Sequence, residues 1–296
     1  MAERWLTVRA AGGRDLEVVV DGPDRGTVLL FHNGTPTAAT HNPHIVNPAA
    51  KRGLRTVTYS RPGYAGSTQQ PGRSVADAAQ DTEAILDALG ADRFVALGWS
   101  GGGPHALACA ALLPERCMAA ATMASVAPYG AAGLDWLAGM GPENVDEFGA
   151  AIKGEQPLIE FLEAAAPGLR EVTGPEVAAA LGGLVSDVDK SALTGEFADA
   201  LAEAFRRAVS RGIAGWRDDD LAFIRHWGFE LMSVRVPVAI WQGAHDLMVP
   251  YDHGRWLAAN VAGAQARLLD GDGHLSLVGH VDRILEDLVE LGSGQR

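Results

Sequence analysis

Two hydrophobic patterns alternate along most of this chain. Short apolar and β-branched runs that end at glycine, proline or asparagine predict buried strands. These runs lie at residues 27–31, 54–59, 93–97, 118–124, 235–241 and 266–269. Segments with apolar side chains at helical spacing predict helices at residues 74–89, 101–113, 251–261 and 278–291. Because strands that alternate with helices form parallel sheets, the sequence predicts an α/β fold with a mostly parallel central sheet and helices on both faces.

The alternation is interrupted in two places. At the amino terminus, residues 5–10 and 16–20 flank the pair Gly12-Gly13, which predicts a β-hairpin. From about Pro128 to Met232 the strand pattern disappears, and the sequence is helical in character and rich in Ala, Glu and Asp. We interpret residues 128–232 as a helical cap inserted into a core made of residues 1–127 and 233–296.

The composition is that of a folded globular protein. Hydrophobic residues make up 47% of the 296 positions and charged residues 21%, which excludes disordered and fibrous classes. The formal net charge of −13 repels phosphate backbones and anionic lipid surfaces. We therefore expect neither a nucleic-acid partner nor a membrane partner.

Most of the negative charge falls in the predicted cap. Between Tyr129 and Met232 there are 18 acidic and 8 basic side chains, which accounts for ten of the thirteen net charges. We expect most of these carboxylates to lie on solvated helix faces. Any that face the active site would disfavour anionic ligands, so the expected partner is a small neutral or cationic substrate.

The sequence carries no signal for export. Charged residues are spread through the first twenty positions, so there is no apolar core of a signal peptide. The longest apolar stretch, near residues 117–127, is too short to span a bilayer. The two cysteines, Cys109 and Cys117, match no metal or redox spacing. These features predict a cytoplasmic protein.

A candidate nucleophile lies between a predicted strand and a predicted helix. The segment Gly98-Trp99-Ser100-Gly101-Gly102 has the pattern G-x-S-x-G in the strand-to-helix context that this motif requires. The glycines two positions before and after the serine allow the strand and helix to approach closely. The positive end of the following helix lies where an oxyanion would develop.

The chain up to this point resembles the α/β-hydrolase family, in particular its esterase and peptidase-like members with a helical cap. The resemblance implies that an acid and then a histidine follow the nucleophile. Asp246, in Gly243-Ala-His-Asp-Leu-Met-Val-Pro250, and His274, in Gly271-Asp-Gly-His274, each follow a predicted strand in that order. The resemblance thus implies Ser100 as nucleophile, His274 as base and Asp246 as its orienting acid. Asp272 and His245 are the neighbouring alternatives.

The resemblance also implies an oxyanion hole. Phe31-His-Asn-Gly-Thr-Pro36 is similar to the family's His-Gly-x-Pro loop, although Asn33 is an extra residue between its histidine and glycine. Two backbone N–H groups are required, and we assign them to Gly101 and Thr35. Gly34 is the alternative to Thr35 if the loop is offset by one residue.

Other residues of interest receive structural or pocket assignments. Trp99, beside the nucleophile, and Trp227, in the cap, are candidates to line the substrate pocket. The segment 60–67 resembles a structural turn of the family. His41 and His44 lack the surrounding ligands of known metal motifs, so we predict no metal and no cofactor.

These features together predict a serine hydrolase that cleaves a carboxylic ester or lactone through an acyl-enzyme. A proline-iminopeptidase-like aminopeptidase is the first alternative, although Trp99 precedes the serine, whereas that family's turn usually reads Gly-Gly-Ser-Trp-Gly. A non-catalytic ligand-binding protein of the same fold is the second alternative, because such proteins can retain the triad.

Overall fold

A computed structural model describes residues 3–294. Eight strands form one sheet in the order β1-β2-β4-β3-β5-β6-β7-β8. Their bounds are β1 Arg4–Arg9, β2 Asp15–Asp21, β3 Val28–His32, β4 Arg55–Tyr59, β5 Phe94–Trp99, β6 Cys117–Met123, β7 Val238–Gly243 and β8 Gln265–Leu269. The pairs β1–β2 and β2–β4 are antiparallel, and all other neighbouring strands are parallel. The predicted mostly parallel sheet and the amino-terminal hairpin are confirmed.

Helices cover both faces of this sheet. They are α1 Pro43–Lys51, α2 Asp77–Leu89, α3 Gly103–Leu112, α10 Tyr251–Asn260 and α11 Val281–Ser293. Consecutive residues of β3 face opposite sides of the sheet. Leu30 packs in the apolar cluster with α2, α3 and α10, whereas Leu29 packs in the cluster with α1 and α11. This division follows from the alternation of side chains along a strand.

The segment between β6 and β7 is helical, as the sequence predicts. It contains α4 Pro142–Lys153, α5 Glu155–Arg170, α6 Val177–Leu181, α7 Asp187–Ala192, α8 Gly195–Ala208 and α9 Ala214–Phe223. Apolar residues of α4, α5, α8 and α9 are buried together with the main core. We use the word cap for residues 128–232 below.

Several element boundaries differ from those predicted. The α1 helix was not predicted. Pro43 and the Asn42 side chain, which accepts a hydrogen bond from the His44 N–H, fix its first turn. The β7 strand begins at Val238 and not at residue 235, because Pro237 has no N–H for the sheet. The α2 helix ends at residue 89, as predicted, and Gly90 forms its C-cap in the left-handed conformation.

None of the helices between residues 3 and 294 is both long and apolar enough to cross a bilayer. Cys109 and Cys117 are both free and buried, and burial raises the pKa of each thiol.

Candidate active site

The candidate nucleophile occupies a strained turn. Ser100 has φ +55°, a conformation that a non-glycine residue adopts only when its surroundings enforce it. A Cβ at Gly98 would overlap the backbone of Gly102, and a Cβ at Gly102 would overlap the carbonyl of His32. Glycine is therefore required at both positions for the strand, the turn and the loop after β3 to pack together.

Asp246 and His274 form a buried pair at the ends of β7 and β8. The Nδ1 atom of His274 lies 2.9 and 3.0 Å from the two carboxylate oxygens of Asp246, and both residues are buried. Asp246 also accepts hydrogen bonds from the N–H groups of Met248 (2.9 Å) and Val249 (2.8 Å) and from the Gln242 amide (2.8 Å). These donors fix the carboxylate so that it can orient the imidazole.

The Asp246 carboxylate also sets the protonation equilibrium of His274. Burial alone lowers the pKa of the imidazole, but the charge and hydrogen bond of Asp246 outweigh burial and raise the pKa above 6.5. Because Nδ1 is held by the carboxylate, Nε2 is the nitrogen left to exchange a proton.

The neighbouring alternatives to this pair lie elsewhere. The carboxylate of Asp272 is 3.0 Å from Nε2 of His280 and makes no hydrogen bond to the His274 side chain. His245 is exposed at the surface. The geometry therefore favours Asp246 and His274 over both alternatives.

A carboxylate from the cap holds the histidine loop. Asp189 on α7 is fully buried, and its oxygens accept the backbone N–H groups of His274 (3.0 Å), Leu275 (2.7 Å) and Ser276 (2.9 Å). No sequence pattern points to Asp189, because its contacts are about 85 residues away along the chain.

Ser100 and His274 line one cavity of about 250 Å³, between the core and the cap. Ser100 makes no side-chain hydrogen bond to a protein group within residues 3–294, so no hydrogen bond joins it to His274. Such bonds are often long in unliganded enzymes. The shared cavity nevertheless gives both side chains access to the same ligand.

The cavity wall is mainly aromatic and aliphatic. Trp99 is among the lining residues, as predicted, and it stacks on Phe197 of α8 with ring centroids 5.8 Å apart. The other aromatic lining residues are Phe31, Phe148, Phe161, Phe205, Trp216 and Phe223. The prediction that Trp227 lines the pocket is wrong, because this residue is not part of the cavity wall. Trp227 is buried against Phe229, and its indole N–H is directed to the Phe223 carbonyl, to which it donates a hydrogen bond.

The predicted oxyanion donors lie beside Ser100. Gly34, Thr35 and Gly101 all line the cavity, and a Cβ at Gly34 would be 3.3 Å from the Ser100 Cβ. The Thr35 hydroxyl is committed elsewhere, since it donates to Asp219 at 2.8 Å. Within residues 3–294 the backbone N–H groups of Thr35 and Gly101 donate to no protein acceptor, which leaves them available to an oxyanion.

A buried ion cluster fixes the loop that carries these donors. Arg61 donates to the carbonyls of Asn33 (2.6 Å) and Gly34 (2.9 Å) and pairs with Asp219 of the cap helix α9 (2.6 Å). Arg73 pairs with the same carboxylate. The two guanidinium groups overcome burial and lower the pKa of Asp219. Residues 60–67 resemble a structural turn in sequence, but that resemblance does not reveal the hydrogen bonds of Arg61 to the loop.

Most carboxylates of the cap are exposed, as predicted. The buried exceptions are Asp189, Asp218, Asp219, Asp220 and Glu147. Asp220 and Glu147 line the cavity. The run of three aspartates beside apolar residues in α9 is a signal that could have revealed this burial.

One grouping of possible metal ligands occurs among the residues that the structure describes. Ligand atoms of Glu3, Asp21 and His41 lie within 4.8 Å of one another, and His41 Nδ1 is 3.0 Å from Asp21. None of the three lines the cavity. His44, the other histidine of the H-x-x-H pattern, packs against Phe197 instead.

Comparison with known proteins places this geometry in a family. The sequence profile of the α/β-hydrolase fold matches residues 27–281. The chain belongs to the α/β-hydrolase fold family. This match covers the sheet from β3 to β8, the candidate nucleophile, acid and histidine, and the whole of the cap.

Individual relatives are distant but cover nearly the whole chain. The uncharacterized hydrolase YcgS of Bacillus subtilis is 24% identical over 284 residues, 94% of each protein. A pimeloyl-[acyl-carrier protein] methyl ester esterase of Aromatoleum aromaticum is 27% identical, over 82% of this chain and 91% of its own. The solved structure of an esterase from Exiguobacterium antarcticum superposes with a TM-score of 0.69 at 19% identity, over 98% of this chain and 100% of its own.

Proposed function

We propose that this protein is a serine hydrolase that cleaves a carboxylic ester or lactone through an acyl-enzyme. The observation that carries the proposal is the buried Asp246–His274 pair, whose histidine lines the same cavity as a serine held at φ +55°. The esterase names among the relatives support the same class of reaction.

The proposed reaction assigns one role to each group. Ser100 Oγ attacks the carbonyl carbon of the ester, and its proton passes to Nε2 of His274. Asp246 stabilises the imidazolium and keeps the ring in the required orientation. The carbonyl oxygen becomes an oxyanion, which accepts hydrogen bonds from the N–H groups of Gly101 and Thr35, with Gly34 as the alternative second donor.

Collapse of this intermediate returns the electron pair to the carbonyl and expels the alcohol, which takes the proton from His274. Water then attacks the acyl-enzyme, with its proton going to His274. The bond between the acyl carbon and Ser100 Oγ breaks, Oγ takes the proton back from His274, and the carboxylic acid leaves. The 250 Å³ cavity and its aromatic wall suit a small or medium-sized apolar ester.

The test is covalent labelling combined with turnover. A fluorophosphonate should add its mass to the peptide that contains Ser100, and Ser100→Ala should abolish labelling and hydrolysis of p-nitrophenyl esters while the far-UV spectrum is unchanged. Aminoacyl-arylamides in the same panel separate an esterase from an aminopeptidase. Label on a different serine would refute the assignment, and label on Ser100 without turnover of any substrate would favour a ligand-binding protein.

A further inference from the structure

Two carboxyl groups meet in the wall of the candidate active-site cavity. Glu147 on α4 and Asp220 on α9 are 9% and 0% exposed, and both line the cavity that contains Ser100. Glu147 accepts a hydrogen bond from the Trp216 indole at 2.7 Å. Apart from the Glu147 carboxyl, neither oxygen of Asp220 has a hydrogen-bond partner within residues 3–294.

This arrangement leaves hydrogen-bonding capacity that the protein does not use. Buried polar groups are nearly always hydrogen-bonded, and an exception calls for an explanation. Asp220 has no protein donor, and two adjacent carboxylates cannot both be ionised without a positive group. The pair therefore requires either a retained proton or a ligand that carries a positive charge.

The surrounding charges do not supply that positive group. Arg73 and Arg61 both pair with Asp219, the residue before Asp220, and Tyr64 is neutral because burial raises its pKa. Burial and the Glu147 carboxyl raise the pKa of Asp220 well above its ordinary value, against the weaker opposing effect of Arg73. Burial also raises the pKa of Glu147. These effects favour retention of one shared proton on the pair when no ligand is bound.

The aromatic residues beside the pair favour a cation over other donors. Trp216, Phe148 and Phe223 line the same cavity, and the negative face of an aromatic ring attracts an ammonium group. An anionic ligand would be repelled by the pair. A hydroxyl group would satisfy one oxygen but would not balance a second carboxylate charge.

We propose that Glu147 and Asp220 form a recognition subsite for an ammonium group on the substrate. The ammonium replaces the shared proton, which passes to solvent, so the second negative charge on the pair is balanced by the bound positive charge. That the preferred substrates are amine-bearing esters rests on the proposed function. Binding of an amine to the pair does not, because it requires no chemistry at Ser100.

Binding is tested with benzylammonium on the full-length protein by isothermal titration calorimetry, with benzyl alcohol as the neutral analogue. We expect saturable binding of benzylammonium alone, with net proton release revealed by comparing phosphate and Tris buffers. Since a hydrogen bond to a charged group is lost, Asp220→Asn and Glu147→Gln should each weaken binding by about tenfold to a hundredfold.

The chain offers a matched control on the same helix. Asp146 is exposed and lies outside the cavity, so Asp146→Asn makes the same charge change one residue from Glu147 and should leave binding unchanged. Asp220→Asn replaces the carboxyl group with an uncharged amide of the same shape, and Glu147→Gln provides a second, independent variant. Equal binding of benzyl alcohol, equal weakening by Asp146→Asn, or absence of proton release would overturn the proposal.

Kinetics connect the subsite to turnover. For two esters that differ only in a terminal ammonium or methyl group, the ratio of kcat/KM should favour the ammonium ester and fall by about tenfold or more in Asp220→Asn. The preference should persist at 1 M salt, because buried contacts are screened little. Binding of benzylammonium without label on Ser100 would reject the proposed function alone, whereas labelled Ser100 without benzylammonium binding would reject the subsite alone.

Discussion

Three consecutive aspartates of α9 occupy three different environments, and their amide variants should separate accordingly. Asp219 is fully buried and pairs with Arg61 and Arg73. Asp218 pairs with Arg217, whose side chain is 18% exposed. Asp220 has no cationic partner at all within residues 3–294. The same chemical change at each position should therefore have three different effects on the free energy of unfolding.

Asp219→Asn should lower the free energy of unfolding by about 3–5 kcal/mol, because it leaves two buried guanidinium groups with an uncompensated charge. Asp218→Asn should cost at most about 1 kcal/mol, since Arg217 retains contact with water. Asp220→Asn should leave stability at pH 7 unchanged or raise it. The raised pKa of Asp220 means that, between its values in the unfolded and folded states, the unfolded chain has released a proton that the folded protein retains, so rising pH favours unfolding.

Urea unfolding at pH 5 and pH 8 measures all three variants. The Asp219 pKa is lowered in the folded state, so its stabilisation is present above pH 4 and is lost only as the pH falls through the lowered value. The Asp220 pKa is raised, so its contribution is present below pH 4 and is lost as the pH rises towards the raised value. Asp220→Asn should therefore gain stability relative to the wild type between pH 5 and pH 8. A loss for Asp219→Asn no larger than that for Asp218→Asn would show that Asp219 does not balance the two buried guanidinium charges.

Three further outcomes test the site. Asp246→Asn should lower kcat on the order of 10⁴-fold, because the imidazole loses its orienting acceptor, whereas Asp272→Asn should have little effect; the reverse order would contradict the assignment. In stopped-flow ester hydrolysis, kcat/KM should fall on acidification through a pKa above 6.5, since His274 must be neutral to accept a proton, and a pH-independent rate between pH 5 and 8 would exclude it as the base. Gly102→Ala should abolish fluorophosphonate labelling, because its Cβ overlaps a backbone carbonyl, while Gly149→Ala, with open space at that position, should label normally.

Local patterns were sufficient to predict the sheet and the turn that carries the candidate nucleophile. Gly98 and Gly102 reveal a tight strand-to-helix turn because no other residue fits there, and Gly90 reveals a helix end because its conformation disfavours side chains. The α1 helix was not predicted, since Pro48 lies within it and interrupts the helical pattern.

The long-range contacts that hold the site residues in place could not be predicted from local patterns. The Arg61–Asp219 pair joins residues 158 positions apart, and no periodicity relates them. The prediction that most cap carboxylates are solvated is correct, but a charge count cannot show which of them are the buried exceptions, such as Asp219 and Asp220, unless the cations that pair with them are known. The prediction that Trp227 lines the pocket was wrong for a related reason. A sequence can indicate that an aromatic residue is buried, but not which cavity it faces.

The contact of Asp189 with the histidine loop has a consequence for the modularity of the cap. Three backbone N–H groups of that loop donate to a carboxylate from the cap, so the cap is part of the scaffold of the candidate site and is not an exchangeable lid. A chimera that combines this core with the cap of a relative must supply an acceptor at the same place. Without one, the loop that carries His274 loses its support, however well the grafted cap shapes the pocket.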